Sequence, residues 1–204
     1  MIKTAVDAYG TLDVLVNNAG IMDHFAPVAE VDNAMWEKVM KVNLDGPFKA
    51  MRSALKTFLE KNSGNIINIS SVGGLKGGVA GAVYTTSKHG LMGLTKNTGY
   101  MYSKTGIRCN GIAPGAVSTS IGDTIDFTKV KPLVNDRIMT GMTLNPRTGE
   151  PSEIAKAALF RLVMIQVLLM VQFWLWMAAG VPVNNYSVQS TYYFYFKKSF
   201  PIER

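Results

Sequence analysis

Short apolar runs alternate with helix-length segments along this chain, and that alternation restricts the fold more than any other feature. Val14 to Asn17, Gly64 to Ser71 and Ile107 to Ile112 read as strands. Between them, Asp32 to Leu59 reads as a long helix interrupted near Gly46-Pro47, and Val83 to Met101 as a second helix. Apolar strands separated by helices predict an α/β fold with a parallel sheet covered on both sides. Ligands in such open sheets lie beyond the carboxyl ends of the strands, and Asn18, Ser71 and Gly115 all fall just there.

The helix from Val83 carries Tyr84-Thr85-Thr86-Ser87-Lys88. Residues at this spacing share one helix face, so the ammonium can sit close to the phenol. A free tyrosine titrates near pH ~10, and a nearby cation favours the phenolate, which makes the phenol a usable acid/base. Ser71 closes the strand Asn65-Ile66-Ile67-Asn68-Ile69-Ser70-Ser71 and can present a hydroxyl to the same substrate oxygen. A tyrosine, a lysine and a serine around one oxygen suit carbonyl/alcohol interconversion with a hydride carrier. Alone, a Tyr-x-x-x-Lys pair commonly marks only an exposed helix turn; its surroundings give it weight.

Other classes find little support. The chain has 204 residues, 48% of them hydrophobic, as one globular domain requires. Cys109 is the sole cysteine, so there is no disulfide framework, and its place in a strand is that of a small apolar residue. With only His24 and His89 beside it, no metal-ligand spacing arises, and we assign no metal site. The net charge of +7 is scattered rather than striped, which argues against nucleic acid. Met1 to Asp7 lacks the apolar core of a secretory signal, so a cytoplasmic location is expected. The glycines at 73, 74, 77, 78 and 81 fit neither G-x-G-x-x-G nor the P-loop; they read as loop glycines that let a substrate approach Ser71 and Tyr84.

Asn17-Asn18-Ala19-Gly20 at a strand end, Asn43 in Lys41-Val42-Asn43-Leu44, the Ser70-Ser71 strand end, Tyr84-x-x-x-Lys88 and Pro114-Gly115-Ala116-Val117-Ser118-Thr119 occur in this order. Together they resemble the short-chain dehydrogenase/reductase family over roughly residues 1 to 160, nearest its bacterial acyl-carrier-protein reductase and glucose dehydrogenase type. The resemblance implies a Rossmann-type doubly wound sheet, NAD or NADP as cofactor and a small-molecule carbonyl or alcohol substrate. Tyr84 would then be the acid/base, Ser71 would hold the substrate oxygen, and Lys88 would lower the tyrosine's pKa and bond the nicotinamide ribose. Asn43 would anchor a water linking Lys88 to solvent. Asn18, Ala19 and Gly20 would border the cofactor's ribose region, and Pro114, Gly115, Val117 and Thr119 would flank the nicotinamide. Ser120 to Pro151 would form a mobile substrate lid, followed by a helix capped at Ser152. Family members are commonly homotetramers through the long helices near 32 to 59 and 83 to 101.

The chain departs from the family pattern at both ends. No Thr-Gly-x-x-x-Gly-x-Gly fingerprint occurs, so roughly the first 70 residues of the family pattern, about two βαβ steps, are expected to be missing. The incomplete sheet would then expose an edge and apolar surface, and the adenine half of the cofactor would lack a site. Arg161 to Gly180 offers about 20 largely apolar residues, and a membrane association through residues 162 to 179 is one reading. Read one nucleotide earlier, however, Trp176-Met177-Ala178 necessarily yields Asp-Gly, and permitted codons extend this to a family-like Asp-Gly-Gly terminus. A frameshift near residue 160 or 161 is therefore expected, with residues 1 to 160 as the dehydrogenase domain and 161 to 204 as an out-of-frame tail. A catalytically inactive fragment without cofactor binding is the remaining alternative.

Overall fold

The computed structural model describes residues 1–142, 145–163 and 173–175. Helix α1 (Ile2–Tyr9) leads to strand β1 (Val14–Asn17), helices α2 (Asn33–Met40) and α3 (Gly46–Glu60), then β2 (Gly64–Ile69). Helix α4 (Ala82–Met101), strand β3 (Ile107–Ala113), helix α5 (Pro151–Val163) and the short β4 (Phe173–Leu175) follow. The four strands are parallel and lie in the order β1-β2-β3-β4.

The long helix is interrupted as expected, one turn earlier. Asp32 starts α2 by accepting from the Met35 N–H at 2.7 Å. Between α2 and α3, Lys41–Asp45 form a π-helical turn, closed by the Gly46 N–H bonding to the Lys41 carbonyl. Pro47 has no N–H to give Asn43 and crowds that carbonyl, so the ladder widens at this point rather than breaking. The widened turn carries Asn43.

Side chains alternate across the strands, and the two faces of β3 meet different helices. On one face Leu15, Ile66, Ile107 and Cys109 pack with Met51, Ala54 and Phe58 of α3 in the principal core. Phe58 lies over Gly64 so closely that a Cβ there would collide with its ring, which requires glycine at the start of β2. On the opposite face, Arg108 donates to the Arg161 carbonyl at 2.8 Å and to the Leu162 carbonyl at 2.9 Å. Arg161 returns a bond to Asn110 Oδ1 at 2.9 Å, so α5 is fastened to the face that α3 leaves open.

β1 is an edge strand whose outward valines, Val14 and Val16, are 38% and 47% exposed. The α/β parallel sheet is thus present but partial, with the exposed edge and apolar surface that the sequence leads one to expect. From Ser120 to Met142 the chain forms short helical turns rather than an open loop. Thr119 and Asp126 cap two of them by accepting from the Ile121 and Thr128 N–H groups. Helix α5 begins at Pro151, not with a Ser152 cap: Glu153 Oε2 accepts the Glu150 N–H at 2.8 Å, while Arg147 grips the same carboxylate. No described helix is long and apolar enough to cross a membrane. The candidate membrane segment 162–179 and the out-of-frame tail 161–204 lie largely outside the described residues. Within them, β4 pairs with Gly111–Ala113 of β3.

Candidate active site

The carboxyl ends of β1, β2 and β3 open into one cavity of about 1090 Å³. Its lining includes Asn18, Ala19 and Gly20 after β1, Ser71 after β2, Tyr84 and Lys88 on α4, and Pro114, Gly115, Val117 and Thr119 after β3. Asn43 stands just behind this wall, fully buried. All the residues singled out in the sequence therefore meet at one place.

Tyr84 is buried, and its ring edge and the Ser71 hydroxyl both border Gly73, where a Cβ would stand 3.4 Å and 3.5 Å from them. Ser71 accepts the Gly73 N–H at 3.0 Å, which turns the chain out of β2 and aims the serine at the cavity. Neighbouring Ser70 is used differently, donating to the Lys88 carbonyl at 3.1 Å from a buried position. Lys88 Nζ lies 5.6 Å from the centre of the Tyr84 ring and donates to the Ile69 carbonyl at 3.0 Å. Burial lowers the ammonium to about 8. The phenol departs from the sequence expectation: Tyr84 stands above its ordinary value, chiefly through burial, with the nearby Ser71 hydroxyl opposing the rise and the Asp23 charge adding to it. The ammonium sits over the ring rather than on the phenolic oxygen.

Asn43 does more than kink its helix. Its Oδ1 accepts the Ile21 N–H at 2.9 Å, while Nδ2 donates to the Ile21 carbonyl at 3.0 Å and to Ser87 Oγ at 3.1 Å. The loop after β1 is thus pinned to the π-helical turn and to α4. A Cβ on Gly20 would stand 3.3 Å from Lys88 Nζ and 3.6 Å from Asn43 Oδ1, so the loop backbone closes directly over both.

Sequence reasoning overlooked several supporting groups. Asn17 donates to Asn68 at 2.8 Å, Asn68 to Thr95 at 2.8 Å, and Thr95 to the Leu91 carbonyl at 2.7 Å, a buried chain that locks β1, β2 and α4 together. Asp23 accepts the Tyr84 N–H at 2.8 Å. The segment after β3 is held by the Met22 N–H bond to Thr124 Oγ1 at 3.0 Å and the Asp126 N–H bond to His24 Nδ1 at 2.9 Å. Its own strand-like bridge joins Val117 to Gly149. The one signal for these partners is a polar residue inside an otherwise apolar run, as at Asn68. Among the described residues no cluster of three or more metal-ligating side chains occurs.

Lys88 Nζ uses one donor on Ile69 and lines the cavity beside Gly20, where further ammonium donors suit ribose hydroxyls. The loops around it expose small residues and backbone, as a close-lying planar ring needs.

The sequence profile of the short chain dehydrogenase family matches residues 1–129. The chain is 44% identical to 3beta-hydroxysteroid dehydrogenase 2 of Eggerthella lenta over 161 residues, covering 78% of this chain and 61% of that protein. It is 38% identical to short-chain dehydrogenase/reductase cdmF of Talaromyces verruculosus, covering 78% of this chain and 65% of that one. The crystal structure of levodione reductase superposes with a TM-score of 0.69 at 35% identity, over 79% of this chain and 63% of that one. A short-chain dehydrogenase from Streptomyces avermitilis gives 0.73 at 25% identity, over 87% and 65%. The chain therefore spans 61% to 65% of the length of these relatives. It belongs to the short chain dehydrogenase family.

Proposed function

We propose that this short chain dehydrogenase interconverts an uncharged, largely apolar ketone and its alcohol with NAD or NADP. The convergence of Ser71, Tyr84 and Lys88 on one cavity carries the reading. A nicotinamide bound there supplies or takes up the hydride. Tyr84, kept protonated by its burial, gives its proton to the oxygen of the reduced carbonyl. Ser71 shares that oxygen and orients it. Lys88 holds the ribose, and its value of about 8 lets it take part in restoring the tyrosine's proton. Asn43 keeps the Ile21 loop and α4 in register behind them.

The lining points to the substrate class. Lys88 is the one charged side chain among the described lining residues, while Met22, Phe25, Val72, Ile121, Ile125 and Met142 line the same cavity. A carboxylate or phosphate on the substrate would find no second cation, and an unpaired buried charge is costly. A bulky alicyclic alcohol, such as the hydroxysteroid in the name of the Eggerthella lenta relative, meets these walls with apolar surface.

Titrating the chain with NADH and NADPH, followed by assay on cyclic ketones and on matched keto acids, tests the proposal. Turnover of neutral ketones with either cofactor supports it. Preference for keto acids overturns the substrate class, and absence of nucleotide binding favours an inactive fragment, a reading that the uncovered face of β1 also suits.

A further inference from the structure

A fully buried carboxylate lies against the first turn of the helix that carries Tyr84. Asp23, in the loop after β1, is 0% exposed. Its Oδ2 accepts the Tyr84 N–H at 2.8 Å and its Oδ1 accepts the Phe25 N–H at 3.2 Å. The first N–H groups of any helix lack intrahelical partners and are usually served by the side chain of the preceding residue. In α4 that residue is Gly81, which offers no side chain, and a Cβ there would collide with both Asp23 oxygens. The carboxylate of a distant segment occupies the capping position instead.

The loop is shaped for this purpose. His24 and Phe25 adopt φ of 53° and 58°, a left-handed conformation uncommon outside glycine, and the turn brings the Ala26 carbonyl to the Ala82 N–H at 2.9 Å. Negative charge at a helix N-terminus is electrostatically favourable, which offsets part of the burial cost. The same loop holds the segment after β3 through Met22 and His24. Phe25 lines the cavity itself.

We infer that Asp23 is a positioning residue for the proposed reaction: by capping α4 from the loop after β1, it fixes the Tyr84 phenol against Ser71. The inference rests on the reading of Tyr84 as the acid/base. Among the described residues, the charged groups facing Tyr84 are Asp23 at the helix start and Lys88 over the ring, while His24 turns toward Asp126. The Asp23 charge opposes phenolate formation and so works with burial to keep the proton on Tyr84. A neutral residue in its place should loosen the turn and make the phenol more acidic together.

The test compares Asp23→Asn and Asp23→Ser with the unaltered full chain, labelled at tyrosine ¹³Cζ, with Tyr84→Phe assigning the signal. The expected result is retained helix content, about tenfold faster amide exchange at Val83 and Tyr84 with Leu91 and Met92 unchanged, and a lower Tyr84 titration midpoint. A purely structural cap would speed exchange and leave the midpoint in place. An unmoved midpoint in both variants therefore overturns the inference. Loss of the fold in both also overturns it, since Asp23 would then be a folding determinant. These readouts need no turnover, so an inactive chain that shows them sinks the hydride-transfer reading and leaves standing only the cap and its hold on the Tyr84 proton.

Discussion

Lys88 Nζ lies 5.6 Å from the centre of the Tyr84 ring while donating to the Ile69 carbonyl at 3.0 Å, so the cation is fastened to the end of β2. Its burial has a stability consequence. The ammonium is lowered from 10.5 to about 8, so between those values the unfolded chain binds a proton that the folded chain lacks. Stability should therefore rise with pH above about 8, by on the order of 1 kcal/mol per pH unit from this group. Urea unfolding between pH 8 and 9.5 of the unaltered chain and of Lys88→Met isolates this slope as their difference, since the raised Cys109 thiol pulls stability the other way in both.

Tyr84→Phe removes the phenolic proton while keeping the ring. Turnover should fall by about 10²- to 10⁴-fold, with nucleotide affinity nearly unchanged. Steady-state kinetics with a fluorescence titration of NAD(P)H separate the two effects. Ser71→Ala should also lower turnover, by removing the cavity hydroxyl proposed to hold the substrate oxygen.

Asn43→Ala would leave the Ile21 N–H and carbonyl and the Ser87 hydroxyl without their buried partner. A cost of about 2–3 kcal/mol is expected. Chemical denaturation gives that figure, and amide exchange at Ile21 should rise more than at Leu15 in the core. Equal exchange at both would mean that Asn43 does not pin the loop.

Cys109 is fully buried, and burial pushes its thiol up to about 12. A disulfide reagent at pH 8 should leave the folded chain unmodified and label it fully in urea, because the thiolate is the nucleophile. Rapid labelling without denaturant would show that the β3 core opens readily.

Val14 is 38% exposed on the edge strand and points away from the core. Val14→Lys should reduce self-association in light scattering, since a lysine on a sheet edge disfavours strand addition. Its unfolding midpoint should move by less than about 0.5 kcal/mol, as for most surface changes.

Much of the architecture was legible residue by residue. Strand β1 occupies the positions its apolar run indicates, and the spacing of Tyr84 and Lys88 on α4 places both in the cavity. These features follow from local rules, the two-residue period of a strand and the 3.6-residue period of a helix. The interruption at Gly46-Pro47 was legible as a proline effect, though its form, a π-helical turn carrying Asn43, was not.

The chain's own residues determined that strands and helices alternate and that a serine, a tyrosine and a lysine stand at strand and helix ends, because each of those facts depends on near neighbours in sequence. Tertiary structure alone decided that Asp23 caps the helix of Tyr84 across 61 positions, that Asn43 grips Ile21, and that Tyr84 is harder rather than easier to ionise. Those outcomes depend on burial and on distances between segments remote in the chain. Desolvation outweighs a nearby charge only once packing has removed the water.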